Sequence, residues 1–168
     1  IAVNLSARQF QRQNLVQIIR QALTDTGLEA RYLDLELTES MLMHDIEHAV
    51  SVLKELDALG VSLSVDDFGT GYSSLSYLKR FPINCLKIDR AFVSRLTEQD
   101  GGPELARAVV MLGTTLGLET VAEGIENEDQ VATLLDLGCV AGQGFLFASS
   151  SSLEVVATTP FMARRARL

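Results

Sequence analysis

Several large protein classes leave marks that this sequence lacks. No run of roughly 18 or more apolar residues appears, so no transmembrane helix is expected. Nothing resembles a signal peptide, and Ile1-Ala2-Val3-Asn4 reads as the middle of a domain. There are only two cysteines, Cys85 and Cys139, without metal-type spacing. They read as buried, inert thiols in a reducing, cytoplasmic compartment, and any membrane tether would belong to regions outside this sequence. Basic residues are in deficit: 14 Lys and Arg against 22 Asp and Glu give a net charge of −8. That excludes a duplex nucleic-acid binder, which needs a basic face. A small phosphate ligand stays open, because metal ions supply positive charge.

What is present suits one globular domain. Hydrophobic residues make up 47% of the 168, enough for a core. Strand and helix patterns alternate. Ile1 to Leu5 predicts a strand, and Ser6 caps a helix running to about Thr26 before Gly27. Tyr32 to Leu37 reads as a strand, Ile46 to Leu59 as a helix stopped by Gly60, and Val61 to Val65 as a strand. A Gly- and Ser-rich loop precedes a short helix to Lys79, and Cys85 to Ile88 is a strand. Helices follow over Phe92 to Leu96 and Glu104 to Leu116, then a strand from Leu118 to Ala122. A helix from Glu128 to Leu137 leads to a last strand region, Val140 to Phe147.

This alternation predicts parallel strands joined by helical crossovers. Asn4, Glu36, Asp66, Lys87 and Glu123 fall at or next to the carboxyl ends of strands, and Gln143 within the last one. In a βα barrel such ends converge on the face that holds active sites. Six contributing strands favour a barrel over an open sheet, and a barrel of about 250 residues would be incomplete here.

Asn4, Glu36, Asp66, Asp67 and Glu123 pool four carboxylates and an amide oxygen. Crowded carboxylates repel unless cations neutralise them. Hard oxygen ligands select Mg²⁺, Mn²⁺ or Ca²⁺. Adjacent Asp66 and Asp67 suit two ions about 3.5–4 Å apart, which activate water for in-line phosphoryl displacement. Lys87 orients that water or offsets charge on phosphorus. The loop Phe68-Gly69-Thr70-Gly71-Tyr72-Ser73-Ser74 has two glycines that permit close approach to a ligand or a flexible turn. Glu39 either caps the following helix or braces this loop.

Two short motifs point elsewhere. His44-Asp45-Ile46-Glu47-His48 spells H-x-x-E-H, but the only two histidines sit on a predicted helix away from the acids and read as a solvated polar face. Asp67-Phe68-Gly69 spells the kinase magnesium triplet, without the other kinase motifs.

Six stretches resemble the EAL family, in order along nearly the whole chain. They are Asn4 to Gln9, Glu36 to Ser40, Asp66 to Leu75, Leu86 to Arg90, Ala122 to Glu126 and Gln143 to Phe147. The resemblance implies a modified βα barrel that hydrolyses cyclic di-GMP to linear pGpG with Mg²⁺ or Mn²⁺; Ca²⁺ should inhibit, because it relaxes the geometry that activated water needs. Asn4, Glu36 and Asp66 would bind the first metal, Asp66 bridging to a second held by Asp67. Glu123 would be a further ligand of metal or metal-bound water. Lys87 would hold the nucleophilic water, and Gln143 would position one. Glu39 would brace the loop of Phe68, Gly69, Thr70 and Gly71, which shapes the second metal site and a homodimer contact. Asp89 would support Lys87 or the adjoining helix. Attached sensor or diguanylate cyclase domains are implied for the whole protein.

The sequence also departs from the family pattern. The opening Glu-Ala-Leu segment is absent, and with it one metal carboxylate, one ligand-binding arginine and two strands. Val140 stands where an Asp is usual, and Ala148 is followed by serines. The expected division is a partial EAL domain over 1–148 and a tail or terminal helix over 149–168. The missing ligand makes a non-catalytic cyclic di-GMP receptor, or a dimerisation module, the alternative to an enzyme.

Overall fold

The computed structural model describes residues 1–69, 75–98, 102–139, 141–148 and 166–167. The chain divides into two compact units, Ile1–Cys85 and Leu86–Leu168. Among the described residues no helix is long and apolar enough to cross a membrane.

The first unit contains β1 (Ala2–Asn4), α1 (Ala7–Phe10), α2 (Leu15–Thr26), a 3₁₀ turn over Ala30–Tyr32, β2 (Asp34–Thr38), α3 (Glu39–His44), α4 (Ile46–Asp57), β3 (Ser62–Phe68) and α5 (Leu75–Leu78). Strands β1, β2 and β3 pair parallel, as their helical crossovers require. The register pairs Leu35 with Leu63 and Leu37 with Val65, and between them Glu36 with Ser64. Strand side chains alternate, so Leu35, Leu37, Leu63 and Val65 make one apolar, fully buried face. The other face carries Asp34, Glu36, Ser62, Ser64 and Asp66. Helix α4 turns Ala49, Leu53 and Leu56 inward, three residues at helical spacing that bury one stripe.

The single helix expected up to Thr26 is two. Ser6 and Gln9 form a reciprocal capping box, and α1 closes after one turn with the N–H of Gln11 on the carbonyls of Ala7 and Gln9. Both Phe10 and Leu15 are buried. Five residues apart on a continuous helix they would lie about 140° apart, so the break lets both reach the core. Gly27 then ends α2 at φ 68°, as a left-handed C-terminal glycine should. The strand expected over Tyr32 to Leu37 begins only at Asp34, because Tyr32 closes the 3₁₀ turn. Strand β3 starts at Ser62 and runs three residues past Val65, through both aspartates to Phe68.

The second unit follows β4 (Cys85–Ile88), a strand that spans the division. It holds α6 (Arg90–Val93), α7 (Gly102–Leu116), β5 (Glu119–Glu123), α8 (Glu128–Asp136), β6 (Ala141–Gln143) and β7 (Ala166–Arg167). β5 and β6 pair parallel, β6 and β7 antiparallel. Gln130 ties two helices: it completes a capping box with Asn127 at the start of α8, and its Nε2 donates to the Val93 carbonyl of α6 at 3.2 Å. Both cysteines are buried and outside any disulfide, and burial pushes the Cys139 thiol above its ordinary pKa.

Strand β6 stops at Gln143 instead of reaching Phe147. The Ile125 N–H donates to the Gln143 carbonyl at 3.1 Å, and Leu146 N–H to the Ile125 carbonyl at 3.0 Å, which turns the chain. Only glycine fits at 144, where an added Cβ would lie 2.1 Å from the Ile125 oxygen. Of the stretch 149–168, expected as a tail or terminal helix, only the two-residue strand Ala166–Arg167 is described. Val140 and the serine run lie outside the described residues.

Candidate functional site

In the first unit backbone register assembles the polar groups. Asn4 ends β1 and pairs with Glu36, and Glu36 pairs with Ser64. Asp66 lies two residues beyond Ser64, on the same face of β3. Asn4, Glu36 and Asp66 therefore share one face on three adjacent strands. Glu36 is only 6% exposed. The next residue, Asp67, leaves the pleat: at φ 53° it is the one described non-glycine with positive φ, and its N–H donates to Asp66 Oδ1 at 2.9 Å. Such a conformation costs about 1–2 kcal/mol, and it swings the Asp67 carboxylate out of strand alternation.

Glu39 is 3% exposed and opens α3 directly after β2. Its Oε2 accepts the Gly69 N–H at 2.9 Å, while Oε1 is buried without a hydrogen-bond partner. Between a helix cap and a loop brace, this bond matches the brace. Phe68 is buried and Gly69 sits at φ 93°. Thr70 and Gly71, expected in the same loop, lie outside the described residues.

In the second unit side chains hold one another. Lys87 is 2% exposed on β4, and its Nζ pairs with Glu123 Oε1 at the end of β5. Gln143, the last residue of β6, donates from Nε2 to the same oxygen at 2.7 Å. The register of β5 and β6 sets Glu123 opposite Gln143, so two parallel strands bring these side chains together, with Glu123 on the ammonium. Asp89 caps α6, accepting the Ala91 N–H at 2.7 Å; of its two expected roles, support of the helix is the one this bond makes.

A cavity of about 400 Å³ opens here, lined by Arg90, Glu123, Gly124, Gln143, Gly144, Phe145 and Ala148. Arg90 is ion-paired with Glu126, and Phe145 is 64% exposed. Arg90, Gly124 and Phe145 lay within stretches that drew notice in the sequence, but nothing there assigned them to a cavity. Their signal was position, each within three residues of a strand-end polar group. Among the described residues no group of three or more His, Cys, Asp or Glu side chains forms a ready metal cluster.

The H-x-x-E-H motif dissolves. His44 ends α3 and His48 belongs to α4, with Asp45 at φ −145° between them, so the two are not on one helix. The His48 ring packs edge-on against Phe10 at 5.9 Å, and Glu47 pairs with Arg80 at 2.7 Å.

Comparison with known proteins fits this arrangement. The EAL domain model matches residues 1–150. The bifunctional diguanylate cyclase/cyclic di-GMP phosphodiesterase MucR of Pseudomonas aeruginosa is 51% identical over 154 residues, 92% of this chain and 22% of that protein. The solved MucR phosphodiesterase in complex with c-di-GMP superposes with a TM-score of 0.90 at 48% identity, covering 93% of this chain and 63% of that one. BlrP1 of Klebsiella pneumoniae, solved with manganese or calcium and cyclic di-GMP, superposes at 0.80 with 32% identity over 88% of this chain and 38% of its own. This chain thus spans about a fifth of the MucR protein and less than two thirds of either solved chain. The parallel α/β architecture is that of the EAL βα barrel. With a family model covering 150 of its 168 residues and motif residues at the strand ends, the chain belongs to the EAL domain family.

Proposed function

We propose that this chain carries the catalytic residues of a metal-dependent phosphodiesterase that hydrolyses cyclic di-GMP to linear pGpG. The observation that carries the reading is the buried Lys87, paired with Glu123 where Gln143 also donates. An ammonium donates, and a carboxylate and a carboxamide oxygen accept, so the three side chains offer a water both kinds of partner. Together they can hold one water by both its protons and one lone pair, leaving the other lone pair for phosphorus. The water oxygen bonds to phosphorus as the bond to the ribose O3′ breaks. One water proton ends on that O3′ and the other on the new terminal 5′-phosphate. Glu123 is the group placed to take the first proton.

Asn4, Glu36, Asp66, Asp67 and Glu123 are hard oxygen donors of the kind Mg²⁺ and Mn²⁺ select, and three of them already share a strand face. Asn4, Glu36 and Asp66 would hold the first ion, with Asp66 shared and Asp67 on the second. A bound divalent ion supplies a Lewis acid and acidifies water. Glu39 holds Gly69, and so the exit from Asp67 and Phe68, in one conformation. The manganese and calcium complexes of BlrP1 support a divalent site, and Ca²⁺ should inhibit because it tolerates looser coordination. A homodimer through the loop after Phe68, and attached sensor or cyclase domains, belong to the same proposal.

The test incubates the chain with cyclic di-GMP and Mg²⁺ or Mn²⁺ and separates the nucleotides. The expected product is pGpG, and excess chelator abolishes it. Hydrolysis that survives chelation would refute the metal mechanism. Tight retention of uncleaved cyclic di-GMP with the metal present would make the chain a receptor.

A further inference from the structure

Asp34 and Ser64 lie beside the proposed metal face, and the chemistry above does not use them. Asp34 is 9% exposed and Ser64 is fully buried. Ser64 Oγ donates to Asp34 Oδ1 at 2.7 Å. Asp34 precedes Glu36 by two residues on β2, so both point to one face, about 6–7 Å apart along the strand. Ser64 is the register partner of Glu36 and precedes Asp66 by two on the same face. One hydrogen-bonded pair therefore borders two of the three proposed first-metal ligands.

A buried carboxylate is costly unless hydrogen bonds hold it, and the Ser64 hydroxyl supplies one here. A hydroxyl has a single proton, and Ser64 commits it to Asp34. That bond fixes the Asp34 carboxylate toward Ser64. It also leaves only lone pairs on Ser64 for its other neighbours, which suits a face that accepts a cation and its water. A fixed negative charge one strand repeat below Glu36 favours a divalent ion at that carboxylate without touching it.

We propose that Asp34 is a positioning residue for the metal centre: a non-ligating carboxylate that raises divalent-cation affinity at the adjoining Asn4, Glu36 and Asp66, with Ser64 as its clamp. This rests on the metal-centre reading above.

The experiment titrates the full chain with Mn²⁺ alone, following free Mn²⁺ by electron paramagnetic resonance, and records the metal-free melting temperature. Asp34→Asn keeps the size and the acceptor for Ser64 and removes the charge. Groups behind metal ligands typically contribute about 10–100-fold to affinity, and a loss near the lower end is expected, with the metal-free melting temperature unchanged. Ser64→Ala, which removes the clamp, should give a smaller loss of the same sign, and it carries the test should Asp34→Asn fail to fold. Wild-type Mn²⁺ affinity in either folded variant would overturn the proposal, as would a loss that only tracks a lower metal-free melting temperature. If the unaltered chain bound no Mn²⁺, the metal-centre reading itself would fall, and this proposal with it.

Discussion

In residues 1–85 the strand-end polar groups are placed by backbone register. In residues 86–168 they are placed by contact with one another. Asn4, Glu36 and Asp66 share a face because β1, β2 and β3 pair parallel in a fixed register. Lys87, Glu123 and Gln143 meet at a single oxygen, Glu123 Oε1. A group set by register keeps its place on its strand when a neighbouring side chain is lost. Contact-set groups are coupled, so losing one displaces the others. The difference suits the proposed chemistry: an ion needs a preformed ring of oxygens, whereas a reacting water needs donors and acceptors that adjust together.

The sharpest way to break this comparison is Lys87→Ala. It leaves Glu123 without its buried cation and the water without its ammonium donor. Cyclic di-GMP turnover should fall by about a hundredfold or more, within the range of positioned proton-handling groups, while binding changes little. Steady-state kinetics with a separate binding titration checks this; lost affinity with retained turnover would make Lys87 a substrate clamp.

Glu39→Ala tests the first unit, where one side chain does act on a loop. Removing the acceptor of the Gly69 N–H should lower activity about 10–100-fold by loosening the backbone after Phe68. A lower melting temperature with unchanged activity would return Glu39 to a helix-capping role.

The smallest expected effect compares two glycines at nearly equal backbone angles. Gly27 has φ 68° with nothing within 4 Å of an added Cβ. Gly124 has φ 71°, and its added Cβ would lie 2.4 Å from Arg90 Cγ. Gly27→Ala should cost about 1–2 kcal/mol, the left-handed penalty alone. Gly124→Ala should cost more by urea unfolding, because Arg90 must leave its position beside Glu126. Equal losses would argue that contacts around Arg90 are not coupled.

Much of this was legible in the residues. Gly27 and Gly60 marked helix ends because both need positive φ. The Cys85–Ile88 strand was read to the residue, a short apolar run with nothing to compete. The break after Phe10 was hidden because Gln11, Arg12, Gln13 and Asn14 are as polar as the outer face of a helix. Strand β3 was cut short because consecutive aspartates read as loop, when Asp66 is in pleat and Asp67 ends it. The strand to Phe147 failed because the contact that turns the chain, Gly144 against Ile125, joins residues nineteen apart. The strand-end acids were legible because alternation placed them on strands. The Asp34–Ser64 bond was not, since it crosses thirty residues between two strands whose register no local pattern reveals.

The most direct test of register-set against contact-set placement is Mn²⁺ affinity in two variants of the same chain. Glu36→Gln removes an oxygen charge from the register-set face, and Lys87→Ala dismantles the contact-set group. The account predicts that Glu36→Gln loses Mn²⁺ affinity by tenfold or more, on the order of what a lost ligand contact costs, while Lys87→Ala, which removes no proposed ligand and only disturbs Glu123, loses several-fold less. Equal loss of Mn²⁺ affinity in both variants would contradict it.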